Sequence, residues 1–324
     1  MKGRLARVAM LVTFVVLLAL FARHIQWRAT VEALRHASLP LLALALVLNL
    51  GSLVLKAVRW WLLLRSVGVR SLSLVIRATF AGASLNNMVV AQGGEGARVM
   101  YVARKTGVPV ASITAALTLE RVLDAMSYLA LLTTAAWLFP LPDALARWRF
   151  AAAGLLALAV AGLAWLCRPA RSSQRRGRRF FDNFAASART ICTPSRLVMA
   201  MALSLSAWAL QVATYHIVAL AAHLPVTLGA SVAAQLAIGI SFLVRATPGN
   251  VGVFQVIYAL IMRGFGIPED AAVAAALLIQ AVQVLPTLFI GTALTPALVR
   301  PPRSGPAPRE VQAPDREHAD PTPR

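Results

Sequence analysis

Charge is scarce in this chain. Only 14% of its 324 residues are Asp, Glu, Lys or Arg, and only 12 are acidic. A soluble domain carries about 25% charged residues, so an ordinary water-exposed surface is excluded. Cysteine is scarce as well, with Cys167 and Cys192 alone. Both flank the most basic loop, which the positive-inside rule assigns to the reducing side of a membrane. A structural disulfide is not expected there, and the histidines form no zinc pattern with the two thiols. No GxSxG elbow occurs, and neither does an HExxH pair or a P-loop. These absences point away from hydrolase, metalloprotease and nucleotide-driven pump. The expectation is a chain that is not an enzyme and takes no metal and no cofactor.

What fills the sequence is apolar. Hydrophobic residues make up 59% and the mean hydropathy is +0.70. Several runs approach the ~20 residues a helix needs to span a bilayer. The expected class is all-α: a polytopic integral membrane protein with about eight membrane segments, two of them broken or re-entrant. The net charge of +20 comes almost entirely from arginine. The arginines cluster between apolar runs, so membrane orientation and anionic headgroups explain them. No recognition motif supports a nucleic-acid partner.

Along the chain, Lys2, Arg4 and Arg7 precede an apolar run to about Ala22. No small-residue cleavage site follows, so it reads as an uncleaved first helix with a cytoplasmic amino terminus in the plasma (inner) membrane. Residues 23–38 read as interfacial, and a helix is expected from Leu39 to Leu64. Its end carries Lys56, Arg59, Trp60, Trp61 and Arg65, a basic and aromatic collar. The plain reading of the collar is an interfacial anchor; the functional one is a first contact for lipid phosphate. Residues 168–196 hold eight arginines and one acid, Asp182, and read as the main cytoplasmic loop. Its stretch RRGRRFFDNF reads as a surface anchor or an amphipathic sensor of anionic lipid. Residues 1–299 are taken as one membrane domain and 300–324, rich in proline and mixed charge, as a disordered tail.

One stretch, Asn86 to Asp124, stands out because it sets Glu95, Arg98, Glu120, Arg121 and Asp124 in an apolar field. A charge at bilayer depth costs about 2.5–3.5 kcal/mol even on insertion scales, so such groups pair or line a wet cavity. Gln92-Gly93-Gly94-Glu95-Gly96 should interrupt a helix. Glu120 and Asp124, four apart, share a helix face. A second interruption, Arg245 to Gln255, contains Pro248, Gly249 and Gly252. The two resemble each other. Gly93-x-x-Gly96 leads through a short helix to Gly107-Val108-Pro109, and Gly249-x-x-Gly252 leads through another to Gly266-Ile267-Pro268. Paired interruptions in two halves point to a midplane site, although glycine–proline punctuation is common in membrane helices. Free N–H groups at such helix ends bind phosphate, and Arg98, Arg121 and Arg245 could add bidentate contacts. The competing reading is a buried ion-pair network with a structural role only.

Asn86-Asn87, Gly94-Glu95 with Arg98, Glu120-Arg121-Val122-Leu123-Asp124, and Pro248-Gly249-x-x-Gly252-Val253-Phe254 together resemble the flippase-like family named for the transmembrane region of lysylphosphatidylglycerol synthase. The resemblance covers roughly residues 5–298. Gln92-Gly93-Gly94 stands where the family often has Arg-x-Gly-Glu, Asn250 replaces a glycine, and Gln255 replaces an acid. The resemblance implies a lipid-handling membrane protein. No aminoacyltransferase domain follows within this sequence, so the chain is not expected to make lysylphosphatidylglycerol. The function expected is a lipid flippase or translocase acting on an anionic phospholipid or polyprenyl-phosphate lipid. The alternative is a non-transporting scaffold for a lipid-modifying enzyme. The expected substrate-binding residues are Asn86, Asn87, Gln92, Glu95, Arg98, Glu120, Arg121, Asp124, Arg245, Pro248, Gly249, Gly252 and Gln255.

Overall fold

The computed structural model describes residues 31–32, 35–88, 93–139, 149–166, 179–241, 250 and 252–299. Among them the regular structure is entirely helical. The expected first helix, Trp27, Cys167, the start of the RRGRRFFDNF stretch and the tail after Arg300 lie outside the described residues, as do Gln92, Arg245, Pro248 and Gly249.

The principal helices among the described residues follow in order: α1 Leu39–Arg65, α2 Leu72–Met88, α3 Gly93–Thr106, α4 Val110–Leu138, α5 Arg149–Leu166, α6 Arg179–Ile191, α7 Pro194–Ala221, α8 Leu228–Ser241, α9 Val253–Arg263 and α10 Glu269–Val299. By length and hydropathy α1, α7 and residues Glu269–Gly291 of α10 can each cross a membrane. At 29 residues α4 is about 44 Å long; it is the helix that carries Glu120, Arg121 and Asp124. The polar stretch 168–196 is only partly a loop. Residues Arg179–Ile191 form α6, whose Ala188 and Ile191 pack into the core beside α4 while Phe180 and Phe181 stay exposed. One apolar face on an otherwise polar segment is enough to hold a helix against a neighbour.

Helices α1 and α7 pack antiparallel. In α1 and α7, Ser38 N donates to Ala221 O (2.9 Å), Ser52 Oγ to Ala207 O (3.0 Å) and Arg59 Nη1 to Ser204 Oγ (2.6 Å). Small residues permit the closest approaches, as usual where lipid gives no hydrophobic push between helices. A Cβ on Gly94 would overlap the Gly82 carbonyl oxygen, and one on Gly291 would overlap Ser84, so α2 sits tightly between α3 and α10. This changes the meaning of the Gly93–Gly96 run. The glycines occupy the first turn of α3 rather than a non-helical break, and Gly94 is there for its missing side chain.

The two resembling stretches fold alike. Each is a helix, a short helix, a left-handed glycine, a proline and a long helix: α2–α3–α4 and α8–α9–α10. Gly107 (φ +73) and Gly266 (φ +77) end the short helices, a conformation that disfavours any side chain with a Cβ. Pro109 and Pro268 then accept from the first turns of the long helices.

Candidate functional site

Three helices, α1, α3 and α4, bring their charges together. On α1, Asn49, Ser52, Lys56 and Arg59 follow one another at steps of three or four, so they share one face. That face turns inward. Arg59 is completely buried; its Nη2 donates to Glu120 Oε1 (3.1 Å) and its Nη1 to Asp124 Oδ1 (2.6 Å). Glu120, 3% exposed, also accepts from Arg98 Nη2 at 2.8 Å, and the Arg98 guanidinium lies 4.3 Å from the centre of the Trp60 ring. Arg121 pairs with Glu95 on α3 and approaches Asp124 Oδ2 at 3.6 Å. One carboxylate shared between two buried arginines, with a ring covering one of them, is how such charges become tolerable away from water.

Arg121 is the loose member. Its side chain is half-exposed, whereas those of Arg59 and Arg98 are buried. The network opens onto a cavity of about 510 Å³ lined from eight of the described helices. Lys56, Glu95, Arg121 and Asp124 form one side of it. Asn49, Ser52, Asn87, Thr287 and the amides Gln211, Gln235, Gln280 and Gln283 form much of the rest, with Tyr128, Trp208, Tyr215 and Phe254. Volumes of 300–1,000 Å³ are typical of small-molecule sites. Lys56, Arg59, Arg98 and Arg121 face three carboxylates, a formal excess of one positive charge. Every arginine in the set has a carboxylate partner. Lys56 makes no hydrogen bond or ion pair among the described residues.

The expected site residues separate into distinct places. Asn87, Glu95, Arg121 and Asp124 line the cavity. Arg98 and Glu120 lie behind it, so Arg98 serves a carboxylate rather than an open phosphate site. Asn86 accepts from Gly94 N at 3.0 Å, which ties α2 to the start of α3. Gly252 caps α9, and its N–H donates to Gln255 Oε1 at 2.7 Å. Gln255 also donates to Gln280, so it supports a lining residue from behind. Gln92, Arg245, Pro248 and Gly249 cannot be placed among these contacts because they lie outside the described residues.

Several lining residues escaped the sequence reading. The collar at the end of α1 divides: Arg59 and Trp60 are fully buried and Lys56 faces the cavity, while the exposed Arg65 forms a cation–π pair with the partly buried Trp61. The available signal was the polar stripe Asn49-Ser52-Lys56-Arg59 in an otherwise apolar helix. A second signal is positional. Arg121 and Asp124 stand twelve and fifteen residues after Pro109; Gln280 and Gln283 stand twelve and fifteen after Pro268. All four line the cavity. His216 is a packing residue, with Nδ1 3.0 Å from Ser231 Oγ.

No curated protein matches the chain. The family model of the lysylphosphatidylglycerol synthase TM region matches residues 5–291, which takes in all the lining residues. With most of its length matched and an all-helical membrane fold, the chain belongs to the lysylphosphatidylglycerol synthase TM region family.

Proposed function

We propose that this protein moves a phosphate-bearing lipid between the leaflets of the plasma (inner) membrane, with its amino terminus in the cytoplasm. The observation that carries the reading is the uncommitted cation. Lys56 lines a cavity of about 510 Å³ in which the other charges are paired. A surplus positive charge with hydrogen-bond donors around it suits a phosphate group. Leu53, Ala125, Ile238 and Val284 line the same cavity and suit the start of an acyl chain.

In this reading Arg59, Arg98 and Glu120 are fixed framework, and Arg121 is the movable part. It bridges Glu95 on α3 and Asp124 on α4. Phosphate competing for Arg121 loosens that bridge and lets α3 shift against α4. No covalent step is involved, so the protein is a carrier and not an enzyme, working downhill or with an ion.

The test is lipid analysis of purified wild type, Lys56→Ala and Arg121→Ala, followed by a liposome translocation assay on the lipid found. The expected result is one phosphate-bearing class enriched with the wild type and lost in both variants. Translocation should fall about tenfold or more, the order of a lost charged contact. Bulk-like lipid in all three proteins, with normal translocation, would sink the proposal and favour a scaffold for a lipid-modifying enzyme.

A further inference from the structure

The cavity wall also carries an uncharged set of polar side chains. Gln211, Gln235, Gln280 and Gln283 line it with Trp208 and Tyr215. None of these carries a charge, and two hold unused hydrogen-bonding atoms. Gln235 is 6% exposed and its Oε1 has no partner among the described residues; the buried Nε1 of Trp208 has none either. One atom is an acceptor and the other a donor.

A buried polar atom without a partner is costly, so a ligand that completes it is favoured. Ligand classes differ in what they complete. An ammonium headgroup only donates and leaves the indole N–H unmatched. A second phosphate or carboxylate only accepts and leaves Gln235 unmatched. A hydroxyl does both. Several amides beside aromatic side chains suit a ring of hydroxyls whose C–H faces lie against apolar surface. Charge points the same way. Asp124, Glu95 and Glu120 are each held by arginine, and the cluster has a positive excess, so a cationic headgroup meets like charge.

We infer that the amide-lined side of the cavity, near Gln235 and Trp208, is a subsite for the uncharged polyhydroxyl part of a phosphate-linked headgroup, and that it discriminates against headgroups bearing an amine. This rests on the lipid-phosphate reading above and specifies the lipid class.

Native mass spectrometry of the detergent-purified full chain tests it, with phosphatidylinositol, phosphatidic acid, lysylphosphatidylglycerol and phosphatidylcholine of matched acyl chains. Phosphatidylinositol should bind about tenfold tighter than phosphatidic acid, the value of one or two added hydrogen bonds. Lysylphosphatidylglycerol should bind more weakly than phosphatidylinositol. Gln235→Leu and Trp208→Phe, which remove the unpartnered acceptor and donor, should each bring the inositol-to-phosphatidic acid ratio toward one. Equal binding of these two lipids, with both weakened by Lys56→Ala, overturns the polyol subsite and leaves the phosphate reading standing. Preference for lysylphosphatidylglycerol overturns it through its charge argument. If no phosphate lipid exceeds phosphatidylcholine, both readings fall together. Soluble inositol 1-phosphate that binds as tightly as the lipid retains the polyol chemistry but overturns its assignment to a lipid.

Discussion

In the unit built from α2, α3 and α4, the lining positions twelve and fifteen residues after the proline are Arg121 and Asp124. In the unit built from α8, α9 and α10, they are Gln280 and Gln283. The two units share a helical plan, a left-handed glycine and a proline. They differ in how their polar groups are satisfied. The charged unit depends on a third party, because Arg59 comes from α1 and reaches both Glu120 and Asp124. The amide unit finds partners closer to home: Gln255 accepts from Gly252 N and donates to Gln280. Charges tie the first unit to α1, whereas in the second Gln255 and Gln280 bond to each other within the unit. The same backbone plan therefore serves two jobs, fixing the helices on one side and offering neutral hydrogen bonds on the other.

The largest break in this comparison is Arg59→Ala. It removes two carboxylate partners at once and should cost about 3–5 kcal/mol, the penalty of leaving buried charges unpaired. Thermal unfolding in detergent reads it directly, and an unchanged midpoint would show that water already satisfies Glu120 and Asp124. Gly94→Ala comes next. Its Cβ would meet the Gly82 carbonyl, and such overpacking costs about 1–3 kcal/mol. Gly93→Ala sharpens that result, since a Cβ there meets nothing within 4 Å among the described residues; it should be neutral or stabilising by up to about 1 kcal/mol. Equal losses in the two alanine variants would remove the close-contact explanation.

Gln255→Leu tests the amide unit in the same assay. Losing the bonds to Gly252 and Gln280 should cost about 1–2 kcal/mol, less than Arg59→Ala because no charge is stranded. A loss matching that of Arg59→Ala would erase the distinction between the units. Trp61→Phe lies outside both. It removes one hydrogen bond, from Nε1 to Arg70 O at 3.0 Å, at a partly exposed site. The expected change is within about 0.5 kcal/mol, and a larger one would make the outer collar part of the core.

Much of the fold was legible from hydropathy and punctuation. The expected helix over Leu39–Leu64 is observed as Leu39–Arg65, and the stretch after Pro109 runs to Leu138. Gly107 and Gly266 mark the turns because only glycine is at ease with a left-handed φ there. The site was less legible. Glu95, Arg121 and Asp124 stood out as charges in an apolar field. Lys56 was hidden by its neighbours, since Trp61 and Arg65 made the whole end of α1 look interfacial. Gln280 and Gln283 were visible only as interruptions of a long apolar run.

By itself the sequence determined that the chain is helical and membrane-embedded, that charges of both signs stand in an apolar field between Glu95 and Asp124, and that two stretches share one pattern. Those properties depend on local composition and spacing, which a bilayer converts into helices because backbone groups must be satisfied within the segment. Only the tertiary structure decided which charges are spent. Arg59, 61 positions from Glu120, turned out to be its partner; Arg98 was committed behind the cavity; and Lys56 was left open inside it. Pairing between distant helices follows from how their faces meet, and no local spacing encodes that meeting.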